Sequence, residues 1–405
     1  MVGGAARATQ RLHLALLKNG IDSLMLVQRK TSDISKVIGP ISTIKKGLSI
    51  LRPILDRALL NLYKERSSSL FSPSWLPFSG IVNEINKINP DIVHLHWICS
   101  GMLRVEDLRK IKAPIVWSLH DDWAFTGGCH IKFDCLKYRS NCGSCPNLGS
   151  NRDMDLSRKI WNRKNRVYND LHNLTIIGLS NWILDCANNS SLLSGKSSLT
   201  LPNMIDTERF KPFEPKYARS LWNLSPNKKL ILFGALSATS DRNKGYSLLI
   251  KALSTIKSKN VECVVFGSAP PQDPEDIDFN IHYLGNLFDD VSLVTIYSAV
   301  DVMVVPSLQE NLSNTIMESM ACSTPVVCFE TGGNSDMVSH KINGYLASPF
   351  SSKELANGID WVLMNKSKHQ LRKKAREQVI ENYSEADVVK KYITLYQKIL
   401  TSKRS

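Results

Sequence analysis

The sequence contains no stretch of roughly 18 uncharged apolar residues, the length that a membrane-spanning helix requires. Its first residues, MVGGAARATQRLHLALL, do not show a basic start followed by an unbroken apolar run, which is the pattern of a secretory signal. Long low-complexity tracts are also absent. These absences argue against an integral membrane protein and a disordered chain, and we expect a cytoplasmic location.

The composition is that of a globular protein, with 43% hydrophobic and 22% charged residues. A chain of 405 residues exceeds the size at which a single hydrophobic core stops growing, about 250–300 residues, so we expect two domains.

Positive charge is concentrated in the first half of the chain. Residues 1–202 hold 27 Lys+Arg against 15 Asp+Glu, whereas the remainder holds 24 against 22. This asymmetry favours an anionic partner, and we expect docking on the inner face of the cell membrane. A basic surface that binds only solvent is the alternative. The basic residues are scattered and belong to no nucleic-acid-binding motif, so we expect no nucleic-acid partner.

Short apolar runs alternate with helical patterns in both halves, which predicts an α/β fold with parallel sheets. The predicted strands are SLMLVQ, DIVHLHW, PIVWSLH and TIIGLS in the first half, and KLILFGAL, VECVVFG, IHYLG, DVMVVPS and PVVCFE in the second. We therefore predict two doubly wound, Rossmann-like domains at 1–202 and 203–380. A C-terminal helix at 381–405 is expected to pack back toward the first domain.

Ligands of parallel sheets bind at the carboxyl ends of the strands, and charged residues follow two of the predicted strands. Glu310 follows DVMVVPS, and Glu318 lies on the next predicted helix, where the two carboxylates could bind sugar hydroxyls or a ribose. Arg242 and Lys244 follow KLILFGAL, where two cations could bind a diphosphate. Alternatively, the two glutamates are ordinary surface carboxylates, and the two cations lie at an ordinary helix start exposed to solvent.

Glycines and a histidine add weaker candidates. Gly332 and Gly333 follow PVVCFE, and Gly3 and Gly4 precede the first helix, in positions where a backbone could approach a phosphate. His120 ends the strand PIVWSLH, next to two aspartates, although a packed histidine is as good an interpretation.

Four of the nine cysteines lie in one short segment. Cys129, Cys135, Cys142 and Cys145 end in a CGSC pair that suits tetrahedral zinc, and we expect a structural zinc site. Reduced cysteines without a metal, and disulfides, are the alternatives that remain.

These motifs, in this order, resemble glycosyltransferase family 4, and the similarity spans nearly the whole chain. The family's Glu-x7-Glu motif corresponds to Glu310 and Glu318 within PSLQENLSNTIMESMACSTPVV, and TGGNSDMV, INGYLA and LPNMIDTERF also fit its pattern. HDDWAFTGGCH and CGSCP resemble a subgroup associated with surface-polysaccharide synthesis.

The resemblance implies a GT-B fold, in which two Rossmann-like domains face each other across a cleft. It implies metal-independent, retaining transfer of a hexose from a nucleotide-sugar donor to a saccharide or lipid-linked acceptor. Glu310, Lys244, Arg242 and His120 would then be catalytic. The donor-binding residues implied are Gly3, Gly4, Asn311, Leu312, Ser313, Glu318, Gly332 and Gly333.

Two departures from the family pattern leave other functions open. Family members carry a strand before the glycine loop, which this sequence lacks, and Ala235 stands where an arginine is usual. A catalytically degenerate sugar-nucleotide-binding protein is therefore one alternative. A sugar-nucleotide epimerase of the same fold is another.

Overall fold

The computed structural model describes residues 3–271 and 280–404. The first two residues of the predicted first domain and the last residue of the predicted terminal helix lie outside this range. The chain forms two compact units, one containing the residues up to Pro202 together with those from Val389 onward, and the other Asn203–Val388. Within the described part of the chain, no helix combines the length and the apolarity needed to span a membrane.

The first unit contains two parallel sheets. Its strands are β1 (Met25–Leu26), β2 (Val37–Ile38), β3 (Val93–Leu95), β4 (Ile115–Leu119), β5 (Leu174–Gly178) and β6 (Ser197–Thr200). Strands β1 and β2 pair with each other, and the other four form a sheet in the order β3-β4-β5-β6. Strand β4, IVWSL, is buried along its whole length, as expected of a parallel strand covered on both faces.

The first unit also contains several helices before Pro202. They are α1 (Gly4–Lys18), α2 (Thr43–Arg57), α3 (Ile81–Ile88), α4 (Leu156–Asn169) and α5 (Asn181–Asn188). The segment Val105–Lys110 forms a 3-10 helix. In the described residues α1 is the first element, and no strand precedes it.

The second unit is built on one six-stranded parallel sheet. Its strands are β7 (Lys229–Gly234), β8 (Val261–Phe266), β9 (Ile281–Tyr283), β10 (Val302–Val305), β11 (Val326–Phe329) and β12 (Gly344–Ala347), in the order β12-β11-β10-β7-β8-β9. Strands β10 and β11, VMVV and VVCF, are completely buried. The sheet is thus doubly wound, and its chain order reverses between β7 and β10.

The helices of this unit are α6 (Pro215–Leu221), α7 (Tyr246–Leu253), α8 (Asp290–Ala299), α9 (Asn314–Ala321), α10 (Asn334–Met337), α11 (Ser352–Met364) and α12 (Lys368–Tyr383). Side-chain caps fix several starts. Asp289 accepts a hydrogen bond from the Ser292 amide at 2.8 Å and begins α8, and Ser313 caps α9 in the same way. These caps satisfy amide groups that have no partner within the helix.

The last helix, α13 (Glu385–Arg404), continues from the second unit into the first. Its Tyr392 hydroxyl donates to the Leu201 carbonyl at 3.3 Å, and its Tyr396 hydroxyl lies 2.7 Å from Nδ1 of His94. The predicted limits of this region differ from the structure. The second unit extends to Val388 rather than to residue 380, because it includes the end of α12 at Tyr383 and the first residues of α13.

Candidate functional site

The sheet of the second unit has its switch point between β7 and β10, which are adjacent although they are far apart in sequence. Both strands are parallel, so the segments that follow them emerge at the same edge of the sheet. The segment after β7 carries Lys244, and the segment after β10 carries Glu310. Ligands of doubly wound sheets bind at such a position.

Lys244 and Glu310 form an ion pair at this edge. Nζ of Lys244 donates to Oε1 of Glu310 at 2.7 Å, and the Ser307 hydroxyl donates to the same oxygen at 2.9 Å. The side chains of Lys244 and Glu310 remain 23% and 16% exposed, so small molecules in solvent can reach both. Burial opposes the charge of Lys244, but the Glu310 carboxylate and its hydrogen bond outweigh burial and raise the pKa of Lys244. The lysine is therefore a cation at neutral pH.

Asn243 holds the two segments together. Its side-chain amide donates to the Gln309 carbonyl at 2.9 Å, and its side-chain oxygen accepts from the Gln309 amide at 3.1 Å. Its own carbonyl accepts from the Leu308 amide at 2.8 Å. Asn243 is only 6% exposed. The sequence DRNKG does not predict this role, because nothing in it indicates that the Asn243 side chain pairs with a backbone 66 residues away.

Two glycines allow the backbones at the site to approach each other closely. Gly245 has a φ of +69°, and a Cβ there would lie 2.0 Å from the Pro306 carbonyl oxygen. Gly332 has a φ of +58°, and a Cβ there would lie 1.7 Å from the Glu310 carbonyl oxygen. The Gly333 amide donates to that oxygen at 3.0 Å. The glycine requirement at 332 therefore comes from contact with the protein's own backbone and not from the approach of a ligand.

The other residues predicted to bind a donor lie around α9. Asn311 is half-buried, while Leu312 and Ser313 are buried. Glu318 lies inside α9 and is only 2% exposed, and its Oε2 accepts from the Tyr297 hydroxyl at 3.1 Å. A ribose contact by Glu318 therefore stays a prediction.

Arg242, the other predicted cation, is exposed, unlike Lys244. It forms part of a 3-10 turn, Arg242–Lys244, whose side-chain cap is Asp241. The structure thus pairs only one of the two predicted cations with Glu310.

The remaining candidates, His120, Gly3 and Gly4, belong to the first unit. Gly3 precedes α1 with a φ of +94°, and a Cβ there would meet no atom within 4 Å. Unlike Gly332, it is not held against another part of the chain in the described structure. The predicted role of Gly3 and Gly4 at a phosphate is untested.

His120 belongs to a row of histidines at the ends of β3 and β4. Nε2 of His120 lies 2.9 Å from Nδ1 of His96, and the ring of His96 lies 4.2 Å from that of His94. Burial lowers the pKa of His120 to about 4 and that of His94 to about 3, and it takes the pKa of His96 well below the usual value. The row is therefore uncharged at neutral pH, and the distance between His120 and His96 is that of a hydrogen bond in which one ring donates to the other.

The aspartate that follows His120 binds a different histidine. Oδ2 of Asp121 lies 2.7 Å from Nδ1 of His130 and accepts from the Trp97 indole at 3.0 Å. Burial opposes the charge of Asp121, but His130 and these hydrogen bonds outweigh it and lower the pKa of the carboxyl. Asp121 thus fixes the segment after β4 and does not orient His120.

The prediction of a zinc site at the clustered cysteines stays untested. Within residues 3–271 and 280–404, no group of three or more His, Cys, Asp or Glu side chains is arranged to hold a metal ion. All nine cysteines are free thiols. Burial, together with Cys145 and Cys142, raises the pKa of the Cys129 thiol. The arrangement of these thiols therefore gives the zinc prediction no direct support.

Comparison with known proteins gives a family match in the second unit. Residues 227–365 match the sequence model described as "Glycosyl transferases group 1". An uncharacterized glycosyltransferase of Methanocaldococcus jannaschii is 30% identical over 191 residues, which cover 45% of this chain and 47% of that protein. The lipopolysaccharide 1,2-N-acetylglucosaminetransferase of Salmonella typhimurium is 27% identical over 176 residues, which cover 43% and 41%. The chain thus spans less than half the length of these relatives.

Similarity to solved structures extends over the whole chain. Sucrose-phosphate synthase from Thermosynechococcus elongatus has a TM-score of 0.69 at 19% identity, covering 99% of this chain and 94% of that one. HepE from Anabaena in complex with UDP-glucose has a TM-score of 0.63 at 16% identity, covering 99% and 97%. At such identities the likeness establishes the fold alone, and the predicted GT-B fold class is confirmed.

Replacing Gly332 by alanine is expected to destabilise the protein more than the same change at Gly285. Both glycines have positive φ angles, +58° and +67°, but a Cβ at Gly285 would meet no atom within 4 Å. Gly285→Ala should therefore lower the free energy of unfolding only by the energy needed to hold alanine in the left-handed conformation, roughly 1–2 kcal/mol. Gly332→Ala should add roughly 1–3 kcal/mol for the clash with the Glu310 backbone. Urea unfolding measures both, and equal losses would show that the close contact is not a constraint.

The neutral histidine row predicts that the protein loses stability in acid. A histidine whose folded pKa is depressed binds a proton only in the unfolded state at intermediate pH, so the free energy of unfolding should fall from about pH 6.5 down to about pH 4. His120→Asn should reduce this fall, whereas His369→Asn, at an exposed position on α12, should not. Urea unfolding across this pH range measures the difference. Identical pH profiles for wild type and His120→Asn would contradict the account.

Proposed function

We propose, from the match of residues 227–365 to the sequence model described as "Glycosyl transferases group 1", that the protein transfers a sugar from a nucleotide-sugar donor to an acceptor. The observation that carries the proposal is the Lys244–Glu310 ion pair at the switch point of the second unit. It provides one cation for phosphate and one carboxylate for sugar hydroxyls at a position where doubly wound sheets bind nucleotides.

The ion pair suits a donor that carries both a diphosphate and a sugar. Lys244 remains charged beside Glu310 and can turn toward a diphosphate, which has more negative charge than a carboxylate. Glu310, held by the Ser307 hydroxyl, is then free to accept hydrogen bonds from the sugar. The first turn of α9 adds backbone amides that favour negative charge at its start. Arg242 is exposed on the same turn as Lys244 and is our candidate for a second phosphate contact.

The proposed reaction proceeds with retention of configuration and without a metal ion. The acceptor hydroxyl attacks the anomeric carbon on the face from which the diphosphate leaves, and the departing phosphate oxygen takes the hydroxyl proton. Lys244 and the amides stabilise the negative charge that develops on the leaving group. A catalytic role for His120, which is a neutral imidazole in the first unit, stays a prediction.

Known relatives support the class of donor and suggest the class of acceptor. The solved HepE structures contain UDP and UDP-glucose, and one relative by sequence acts on lipopolysaccharide. We therefore propose a nucleotide-activated hexose as donor and a saccharide, carried on a lipid, as acceptor in surface-polysaccharide synthesis. The excess of basic residues in the first 202 positions is consistent with a cytoplasmic protein that binds the inner membrane surface.

Donor binding is tested by measuring the free energy of unfolding in the presence of individual sugar nucleotides. A donor at 100 times its dissociation constant should add about 2.7 kcal/mol. Lys244→Met should reduce this stabilisation strongly, because the diphosphate loses its cation, and Glu310→Gln should reduce transfer more than binding. Lys251→Met, at an exposed lysine on α7, is the matched control and should leave the stabilisation unchanged.

Assays of the wild type and its variants also distinguish sugar transfer from the two alternative functions. A transferase should release nucleotide rapidly only when an acceptor is added, whereas a sugar-nucleotide epimerase would act without one. A binding protein with a degenerate site would retain its function in cells after Glu310→Ala. The transfer proposal fails if no sugar nucleotide stabilises the protein, or if Lys244→Met and Lys251→Met behave alike.

We retain a structural zinc ion as a proposal for Cys129, Cys135, Cys142 and Cys145. The CGSC spacing of the last two cysteines is the observation that supports this proposal, because such a pair suits tetrahedral zinc. Burial raises the pKa of the Cys142 thiol to about 12 in the protein without a metal, and binding of zinc would require this thiol to lose its proton. Metal analysis of the purified protein should find about one zinc per chain, lost in a Cys142→Ser/Cys145→Ser variant. Less than about one zinc in ten chains would eliminate the site.

A further inference from the structure

Helix α2 is attached to the first unit through its polar side chains. Arg52 donates to the carbonyls of Gly101, Pro77 and Leu76 at 2.6, 2.9 and 3.0 Å. Asp56, which is fully buried, accepts from the Ser74 and Trp75 amides at 3.3 and 3.2 Å. Asp56 is the only buried residue of the helix. The protein-facing side of α2 is therefore polar, the reverse of an ordinary surface helix.

The apolar side chains of α2 lie on the solvent side. Successive members of the set Ile44, Leu48, Leu51 and Leu55 are three or four positions apart, so they share one face, which we call the α2 apolar face. They are between 50% and 77% exposed. Ile50 and Ile54, 56% and 65% exposed, widen this face on one side. Exposed apolar surface of this extent, on a helix fixed by polar contacts, is typical of a binding surface.

The charges around this face identify the chemistry of its partner. Residues 41–66 contain six Lys+Arg and two Asp+Glu, and one of the two acidic residues is the buried Asp56. The exposed cations are Lys45, Lys46, Arg57, Lys64 and Arg66. Exposed apolar side chains flanked by exposed cations, on a short helix, are the pattern of a helix that lies in the interface of an anionic bilayer.

We propose that α2 docks the protein on an anionic membrane surface, with the α2 apolar face inserted among the lipid chains and the flanking cations at the headgroups. A second copy of the chain would be a poor partner, since it would bring Lys45, Lys46 and Arg57 of both copies together. This inference rests on the membrane association proposed above and names its surface, and it does not depend on the donor chemistry.

Sedimentation with lipid vesicles tests the proposal. The wild type should bind vesicles of phosphatidylcholine with phosphatidylglycerol at low salt, and it should bind pure phosphatidylcholine far more weakly. Lys45→Gln and Lys46→Gln should each weaken binding by about fivefold. Leu48→Ser/Leu51→Ser/Leu55→Ser should weaken it by at least about tenfold, because the variant loses its insertion surface.

A matched control uses apolar residues of similar exposure in the second unit. Val291→Ser/Ile342→Ser changes side chains that are 73% and 60% exposed and should leave vesicle binding unchanged. All the altered side chains are exposed, so each variant should fold. Stabilisation of each variant by a sugar nucleotide checks this and separates the two proposals. If the wild type binds vesicles but no sugar nucleotide stabilises it, only the proposal of a nucleotide-sugar donor is refuted. If a sugar nucleotide stabilises it but it does not bind vesicles, only the proposal of membrane docking by α2 is refuted.

Three results would overturn the proposal. The wild type could fail to sediment with anionic vesicles at low salt. The control variant could lose as much binding as the triple leucine variant. Sedimentation velocity without lipid could show a dimer that Leu48→Ser/Leu51→Ser/Leu55→Ser converts to a monomer, which would identify the α2 apolar face as an interface between copies of the chain.

Discussion

The ion pair between Lys244 and Glu310 is the interaction on which the proposed chemistry depends. It links the two segments that leave the sheet at its switch point, and the Glu310 carboxylate keeps Lys244 charged in a half-buried position. A lone cation or carboxylate at this depth would be costly, whereas the pair is stable and still accessible. The site is thus charged before a ligand arrives, and a diphosphate can replace the carboxylate as the partner of the lysine.

The surrounding residues fix the positions of the two segments that carry this ion pair. Asn243 pairs with the backbone at Gln309, and Gly245 and Gly332 let the turns approach carbonyls that any side chain would displace. None of these residues needs to touch a ligand, yet together they determine where Lys244 and Glu310 lie. This arrangement explains why the glycines after β11 and before α7 matter even if a donor never contacts them.

Sequence reasoning predicted the fold class and the charged residues because both depend on local patterns. Buried runs such as VMVV predict parallel strands, and the charged residues follow them directly. Short strands such as Val37–Ile38 and Ser197–Thr200 were missed, because two to four residues give little periodicity. The bracing role of Asn243, the burial of Glu318 and the outward apolar face of α2 depend on long-range packing, which no local pattern contains.

A crystal structure with a bound nucleotide sugar tests the central claim most directly. The account predicts that Nζ of Lys244 lies within hydrogen-bonding distance of the diphosphate and that the Glu310 carboxylate contacts the sugar, while the Asn243–Gln309 hydrogen bonds remain. A nucleotide sugar bound elsewhere, with the Lys244–Glu310 pair still closed and contacting neither phosphate nor sugar, would contradict it.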